Sequence, residues 1–365
     1  MDFSVFPPLA KNKERDIRYA SHTDSAIFSV YAQALSELYE EQIKAKGVGD
    51  CILAYRGGIG YNVPFAKSLI DEVRKRGNCH VICLDVSGFF DNLDHKMLKG
   101  MLCRFLGTSE LPEDWYKIFR RITAFEYVLR EDIEARLGKI KGRRLCQIST
   151  FHSAIRPIIR TNPNKHGIPQ GTPLSGLLAN IYMFELDCIA NEYFFKIGGS
   201  YRRYSDDIAV VIPDPKDESA ALIFLQALLD EHRLSFNPSK TCRTTFMSGS
   251  GWQNYSGDIL QYLGFTYDGE RILIRPESIK NFYARMKSNI RRYVKAAAKQ
   301  GVPLAQLRKR VLVGRFTHWG DSRNFVQYAY RAARELKAPE IRRQLRNHVA
   351  IFDRQWAKMV AKYDP

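Results

Sequence analysis

Acidic residues at two places in the sequence have the types and spacing needed to hold a metal ion. Asp206 and Asp207 are adjacent in the stretch YRRYSDDIAVV, and Asp85 ends the apolar stretch HVICLD. Adjacent carboxylates repel each other, so holding them beside an apolar strand costs free energy unless cations neutralise them. An isolated Asp-Asp pair more often lies in a surface turn, so the pair alone does not indicate a site.

If the strands that carry these residues are neighbours, the three carboxylates converge on one edge of a sheet. Mg²⁺ prefers hard oxygen ligands and keeps water or substrate phosphates in its shell. Two such ions close together stabilise both the attacking and the leaving oxygen in phosphoryl transfer. The three aspartates therefore indicate metal-assisted phosphoryl transfer.

The elements that would position these residues are predicted from apolar periodicity and turn residues. Helices are expected over 24–47, 63–77, 91–107, 172–195 and 216–234. A buried strand is expected to open at residue 80, two short strands to meet at the aspartates within 201–213, and a hairpin to cover 261–275. Asp91 is expected near the N-cap of the helix over 91–107, and residues 108–166 give no clear pattern. This order suits an α+β fold with helices packed on one face of a sheet.

Positive charge is concentrated at the C-terminal end of the chain. The sequence of 365 residues carries a net charge of +17. Residues 277–365 contain 21 Lys and Arg against six Asp and Glu, so almost all of the excess lies in the last quarter. Such a basic helical segment is either a solvated surface or a grip on the phosphate backbone of a nucleic acid.

The composition is that of an ordinary globular protein and argues against several classes. No apolar run of about 18 residues is present, so no membrane span is expected, and the N-terminus lacks the layout of a secretory signal. The seven cysteines are scattered without a C-x-x-C pair, which argues against a zinc site or a disulfide framework. A reduced, cytoplasmic protein is therefore expected.

Five segments occur in an order and spacing that is specific to one family. They are CLDVSGFFDNLDH (83–95), GIPQGTPLSGLLANIY (167–182), YSDD (204–207), NPSKT (237–241) and YLGF (262–265). Together they resemble motifs A to E of reverse transcriptases, and residues 11–24 and 54–58 resemble the fingers motifs of bacterial members. The usual bacterial counterpart of YSDD is Tyr-Ala-Asp-Asp. Ser205 departs from it, which is expected to alter packing near the primer end more than the metal site.

The resemblance implies a right-hand polymerase of the α+β class. Its parts would be fingers, a ferredoxin-like palm of antiparallel sheet plus helices, and a basic α-helical thumb. The implied boundaries are 1–80 for the N-terminal part of the fingers, 81–107 and 167–275 for the palm, 108–166 for the connection of fingers and palm, and 276–365 for the thumb.

The resemblance also assigns the metal site and the sugar pocket. Asp85, Asp206 and Asp207 would hold two Mg²⁺ ions, with Mn²⁺ as a substitute, and the Val86 carbonyl would be a further ligand. Phe90 would be the steric gate that collides with a ribose 2′-OH and favours dNTPs. Its neighbour Phe89 would line the same pocket, although core packing is the ordinary alternative for both rings.

Other positions are implied to contact the nucleotide. Gln170 and Gly171 would touch the nucleotide and template, and Lys240 would donate a proton to the pyrophosphate leaving group. Arg15, with Lys11 or Lys13, would clamp the triphosphate, and Arg56 would support that clamp. The ordinary alternative for Lys11, Lys13 and Arg15 is a solvated charged stretch.

Among reverse transcriptases the chain most resembles the bacterial defence-associated (antiphage, abortive-infection-type) group. That resemblance implies a non-coding or template RNA, a DNA product, and a homo-oligomer or a partner protein from the same operon. Two alternatives stay open: a retron- or group II intron-like reverse transcriptase, and a catalytically silent RNA-binding scaffold. An RNA-dependent RNA polymerase is disfavoured by Phe90.

Overall fold

The computed structural model describes residues 22–138, 146–320 and 323–363 and shows a mixed fold of helices and antiparallel sheet. The helices are α1 (His22–Lys46), α2 (Asn62–Arg76), α3 (Phe89–Asn92), α4 (His95–Leu106), α5 (Glu113–Thr123), α6 (Arg130–Leu137), α7 (Ile148–Thr150), α8 (Ser175–Lys196), α9 (Glu218–Glu231), α10 (Pro276–Lys299), α11 (Arg310–Phe316), α12 (Phe325–Glu335), α13 (Pro339–Gln344) and α14 (His348–Tyr363). The strands are β1 (Cys79–Asp85), β2 (Glu126–Tyr127), β3 (Arg160–Thr161), β4 (Ser200–Tyr204), β5 (Asp207–Ile212), β6 (Cys242–Ser248), β7 (Gln253–Gly257), β8 (Leu260–Tyr262), β9 (Phe265–Tyr267) and β10 (Ile272–Ile274).

The chain divides into two compact units by its internal contacts. The first contains the described residues up to Ile59, together with Leu84–Ile212 and Lys216–Thr241. The second contains Gly60–Cys83, Pro213–Pro215 and the described residues from Cys242 onward. Strand β1 therefore contributes to both units, with only its last two residues in the first.

The first unit is built around α8. This helix is buried along most of its length, which matches a sequence that is apolar on nearly every face. It packs against α1, α4, α9 and the strands β4 and β5. At its start the Ser175 N–H donates to Thr172 Oγ1 at 3.2 Å, and Ser175 Oγ donates to the Pro169 carbonyl at 2.7 Å. These bonds fix the loop that carries Gln170 and Gly171.

The hairpin of β4 and β5 carries the adjacent aspartates. Tyr204 pairs with Asp207, so the connection is a two-residue turn made of Ser205 and Asp206. Ser205 has a φ of 60°, which a two-residue hairpin turn requires at its first position when the turn is of the II′ type. Strand β5 lies between β4 and β1 in the sheet. The prediction of two short strands meeting at the aspartates is therefore confirmed.

The second unit combines sheet with a helical C-terminal part. In it β6 lies between β1 and β7, with Cys79 opposite Phe246 and Cys83 opposite Cys242. Strands β8, β9 and β10 form a separate antiparallel sheet, so the expected hairpin over 261–275 is one part of a three-stranded unit. Helix α10 packs on α14, and its buried face recurs every three or four residues, at Phe282, Met286, Ile290, Val294 and Ala297.

The helix expected over 91–107 is divided in two, and the prediction of Asp91 as its cap was wrong. The short α3 ends at Asn92, and Leu93 is extended. Asp94 is the N-cap of α4, where its carboxylate accepts from the Met97 N–H at 2.9 Å. Both aspartates are cap-type residues, and the break at Leu93 decides between them.

Among the described residues, no helix is long and apolar enough to cross a membrane.

Candidate active site

Asp85 and Lys240 meet at the C-terminal end of β1. Lys240 Nζ lies 2.7 Å from Asp85 Oδ2. The contact is set up by the backbone, because the Asn237 N–H donates to the Asp85 carbonyl at 3.1 Å. The Asn237 side chain then caps the short 3₁₀ turn Pro238–Lys240 by accepting from the Ser239 N–H at 3.0 Å. The structure thus brings two of the predicted catalytic residues together.

The turn that carries Asp206 is joined to the end of β1 by the backbone. The Val86 N–H donates to the Asp206 carbonyl at 2.9 Å. Asp206 lies in the turn, and Asp207 is the first residue of β5. Asp206 and Asp207 thus follow each other at the tip of the hairpin, next to the end of β1.

The donor set near Asp85 suits a hard divalent cation. Asp85 supplies a carboxylate at the end of β1, and the Val86–Asp206 backbone bond brings the Asp206 segment to the same place; the expected ligands there are all oxygen donors. Within the described ranges no group of three His, Cys, Asp or Glu side chains is close enough to hold a metal ion. The oxygen chemistry of these donors, and not a preformed cluster, fits an ion such as Mg²⁺, which takes one or two carboxylates and completes its shell with water and substrate phosphates.

A cavity of about 690 Å³ lies in the first unit. Its lining includes Phe90, Gln170 and Gly171, three of the predicted nucleotide-binding residues. Phe89 does not line the cavity: it is 3% exposed and its ring contacts that of Phe90 at 5.4 Å between centroids. Phe89 is therefore a packing residue behind the cavity wall.

The loop before α8 is held against the segment that carries Phe90. The Ile168 N–H donates to the Phe90 carbonyl and the Gly167 N–H donates to the Leu93 carbonyl, both at 2.9 Å. Gly167 has a φ of 87°, and a Cβ there would lie 2.8 Å from the Asp91 carbonyl oxygen, so the approach requires glycine. These bonds place Phe90 and Gln170 on one cavity.

Arg56, which was expected to support the triphosphate clamp, forms hydrogen bonds to groups of the protein. Its Nε and Nη2 donate to the two carboxylate oxygens of Glu40, each at 2.8 Å. Its Nη1 donates to the carbonyls of Gly49 and Ile52 at 2.5 and 2.8 Å. The guanidinium is thus taken up by protein partners and ties α1 to the segment before Tyr55. Lys11, Lys13 and Arg15 lie outside the described residues.

Two features of the site were not predicted from the sequence. Tyr55 lines the cavity, as do Ala32, Gln33 and Ser36 of α1. Beneath the turn of Asp206 lies an ion pair, Arg203 with Asp187, and both side chains are 0% exposed. The sequence signals were weak: Tyr55 stands inside the segment AYRGG, and Arg203 precedes YSDD as one of two arginines.

The buried pair belongs to a larger network. Arg203 Nε and Nη2 donate to the two carboxylate oxygens of Asp187 at 2.8 and 2.6 Å, and the Tyr201 hydroxyl donates to the same carboxylate at 2.8 Å. Arg203 Nη1 donates to the Ser205 carbonyl and to Asn180 Oδ1, both at 3.1 Å. Burial raises the pKa of Tyr201 well above its usual value, so its hydroxyl stays protonated and donates.

Comparison with known proteins gives one family and several distant structures. The family model described as reverse transcriptase (RNA-dependent DNA polymerase) matches residues 27–267. No curated protein sequence matches the chain.

Three solved structures of yeast telomerase are similar to the chain. One is apo telomerase from Candida tropicalis, at 11% identity and a TM-score of 0.45, covering 90% of this chain and 51% of that chain. A form of that telomerase truncated from the C-terminal domain matches at 14% identity and a TM-score of 0.42, covering 67% of this chain and 44% of that chain. Telomerase from Candida albicans, in complex with a fragment of telomeric RNA, matches at 12% identity and a TM-score of 0.44. It covers 92% of this chain and 55% of that chain. The chain spans about half the length of these structures, and so distant a likeness carries no argument about function.

Proposed function

Because the chain belongs to the reverse transcriptase family, we propose that it is an RNA-directed DNA polymerase, a nucleotidyltransferase that extends a primer with dNTPs. One observation supports this most directly. The Val86 N–H bond to the Asp206 carbonyl, at 2.9 Å, brings the two aspartate-bearing segments to one point of the first unit. The cavity adds to this support, because one of its lining residues, Phe90, comes five positions after Asp85, and Gln170 lines it as well.

The roles of the residues follow from their chemistry. Reverse transcriptase domains generally use divalent metal ions, which supply Lewis-acid stabilisation of the attacking and leaving oxygens. Asp85, Asp206 and the Val86 carbonyl would hold such an ion, while Asp207 is proposed as a further ligand. Lys240, now 2.7 Å from Asp85, would donate its proton to the departing pyrophosphate.

The cavity would select the nucleotide. Gln170 and Gly171 would contact the incoming nucleotide, and the positive φ of Gly171, 107°, is compatible with close approach of the backbone. Phe90 would exclude a ribose 2′-OH. The basic helix α10 would hold the template–product duplex through its phosphates, as expected of a thumb.

The experiment that tests polymerisation compares the wild type with Asp206→Asn. This change keeps the shape of the side chain and removes its charge. Primer extension on poly(rA)–oligo(dT) with Mg²⁺ and dTTP is expected to fall by roughly 100- to 1000-fold. Asp230→Asn, an exposed carboxylate on α9, is the control and should leave extension unchanged. Equal extension by the wild type and Asp206→Asn would contradict the proposal.

We further propose a role in bacterial antiphage defence with a non-coding RNA. The support is the resemblance of residues 11–24 and 54–58, and of FFDNLDH, to defence-associated members. In cells carrying the native operon, the wild type should lower phage plating and the double change Asp206→Asn/Asp207→Asn should abolish that protection. A homo-oligomer or a partner protein from the operon stays a prediction.

One observation favours a second candidate, a silent RNA-binding scaffold. Asp85 pairs with Lys240, and the described carboxylates do not form a three-residue cluster. If the double aspartate variant protects cells as well as the wild type does, the scaffold replaces the polymerase as the proposed function. A retron- or intron-like role would instead be indicated by the RNA encoded beside the gene.

A further inference from the structure

A hydrogen bond between two distant residues joins the turn of Asp206 to the wall of the cavity. The Tyr55 hydroxyl and Ser205 Oγ lie 2.9 Å apart. Both residues have positive φ, 57° for Tyr55 and 60° for Ser205. This conformation costs a non-glycine residue free energy and persists only where the surroundings hold the backbone in place.

The surroundings do hold both segments. The Leu53 N–H donates to the Arg203 carbonyl at 2.9 Å, so the chain before Tyr55 runs beside β4. Asn180 of α8 donates from Nδ2 to the Ala54 carbonyl at 2.7 Å. The buried Arg203 guanidinium donates to the Ser205 carbonyl at 3.1 Å. One buried network thus fixes the backbones on both sides of the hydroxyl pair.

Tyr55 carries the effect of this bond into the cavity. Its ring meets the ring of Phe90 edge-on, with 6.2 Å between centroids and an interplanar angle of 82°. It also lies against α8, since a Cβ added to Gly176 would overlap the Tyr55 ring. Ser205 itself is 6% exposed and does not line the cavity. Through its hydroxyl, Ser205 therefore reaches the cavity by way of Tyr55.

We propose that Ser205 is a positioning residue that fixes the Tyr55 ring against Phe90 and so sets the width of the cavity. The inference rests on the proposed function, in which this cavity takes a dNTP. Without the Ser205 hydroxyl the Tyr55 ring can turn away, and the Phe90 ring is then no longer supported from that side. Both the affinity for dNTPs and the exclusion of NTPs weaken as a result, while the chemical step, made by other residues, changes little.

The test uses Ser205→Ala, Tyr55→Phe and the double variant in the full chain, with poly(rA)–oligo(dT) and either dTTP or UTP. Each single variant is expected to raise KM for dTTP about two- to tenfold, the worth of one hydrogen bond. The preference for dTTP over UTP should fall by a similar factor with kcat nearly unchanged. The double variant should be no worse than either single one, because all three lack the same bond.

Two further variants show whether a change in KM or in nucleotide preference comes from loss of the hydrogen bond or from another cause. Ser205→Gly relieves the backbone strain but also lacks the hydroxyl, so it should behave like Ser205→Ala. Ser153→Ala removes a hydroxyl on an exposed surface and should behave like the wild type. Urea unfolding of every variant shows whether it is folded, and Tyr55→Phe carries the test if Ser205→Ala is not.

The outcomes are distinct. An active wild type whose variants keep its KM and its preference for dTTP overturns the inference and leaves the proposed function intact, as does a double variant with additive losses. A wild type that incorporates nothing contradicts the proposed function. Titration calorimetry with dTTP then decides the inference: weaker binding by both single variants supports it, and equal or absent binding overturns it.

Discussion

At the scale of single residues, the neighbours Phe89 and Phe90 illustrate how one motif serves two purposes. Phe90 lines the cavity, whereas Phe89 is buried behind it and supports it by packing ring against ring. Phe90→Ala is expected to enlarge the cavity at the sugar position. The preference for dNTP over NTP should then fall by roughly tenfold or more, as expected when a pocket is deprived of a bulky apolar group. Steady-state incorporation of dTTP and UTP measures it.

Phe89→Leu is the matched control for this change. It alters the ring that supports Phe90 without opening the cavity, so it should lower stability while the preference for dNTPs changes much less than in Phe90→Ala. Equal loss of preference in the two variants would contradict the gate assigned to Phe90.

The buried ion pair of Arg203 and Asp187 is expected to contribute to the free energy of unfolding. Asp187→Asn leaves the buried guanidinium without its counter-charge, which should lower the free energy of unfolding by about 3–5 kcal/mol. Urea unfolding measures this decrease. Glu192→Gln removes one partner of an exposed pair with Lys196 on the same helix and should change stability little.

A double replacement tests whether the pair also positions the catalytic turn. Arg203→Met with Asp187→Leu fills the site with apolar groups and should recover much of the stability. Extension should stay low, because the Ser205 carbonyl no longer accepts a hydrogen bond from the guanidinium. Recovery of both properties together would mean that the pair acts through stability alone.

Residue positions were predictable where a motif marked them and not where only tertiary packing brought residues together. The motifs placed Asp85 and Lys240 in one site, and the two side chains meet although they are 155 positions apart. The bond of Tyr55 to Ser205 spans 150 positions and leaves no local pattern. Arg56 bonds to Glu40 within the protein, and its support of a triphosphate clamp stays a prediction.

At the scale of elements, the helices expected over 24–47, 63–77, 172–195 and 216–234 were predicted to within a few residues. Helix α1 was expected over 24–47 and covers His22–Lys46, since apolar periodicity and a closing glycine mark its course. The break between α3 and α4 was missed, because Asp91 and Asp94 both suit a helix start and only the tertiary bonds of Leu93 choose between them. Within 108–166 the sequence interpretation missed α5, although its buried residues Ile118, Phe119 and Ile122 recur at helical spacing.

Helix α10 makes a prediction about nucleic-acid binding. Seven Lys and Arg side chains are exposed along it, opposite its buried face: Lys280, Arg285, Lys287, Arg291, Arg292, Lys295 and Lys299. Changing Arg291, Arg292 and Lys295 together to Gln should weaken binding of an RNA–DNA duplex. It should also flatten the plot of log affinity against log salt concentration by about 0.9 for each phosphate that the protein no longer neutralises.

Fluorescence anisotropy at several salt concentrations measures both quantities. Lys96→Gln removes one exposed charge on the first unit and should leave the salt slope unchanged. An unchanged slope in the triple variant would mean that α10 is a solvated basic surface, the ordinary reading of such a charge pattern.

At the scale of the whole molecule, the excess of positive charge predicts a bound polyanion. Protein purified from its native operon should retain one structured RNA, joined to complementary DNA if the RNA is its template. Sequencing of the bound nucleic acid tests this. A heterogeneous RNA population with no attached DNA would count against a dedicated template.

The class of fold was predictable because five segments fix the order of strand, helix and hairpin along the chain. The division into two units was not, since the boundary between Cys83 and Leu84 falls inside a single strand. The apolar run from Val81 to Leu84 gives no sign of a boundary between Cys83 and Leu84.

That shared strand has a consequence for synthesis on the ribosome. The apolar residues Cys79–Cys83 pair with β6, whose register partners lie about 160 positions later. At roughly 5–20 residues per second, β1 emerges about 8–30 s before β6 exists. For that interval an apolar, strand-forming segment lacks its native neighbour. We therefore expect the nascent chain to bind chaperones during synthesis. Slowed translation between the two strands should lower the soluble yield without altering the finished protein.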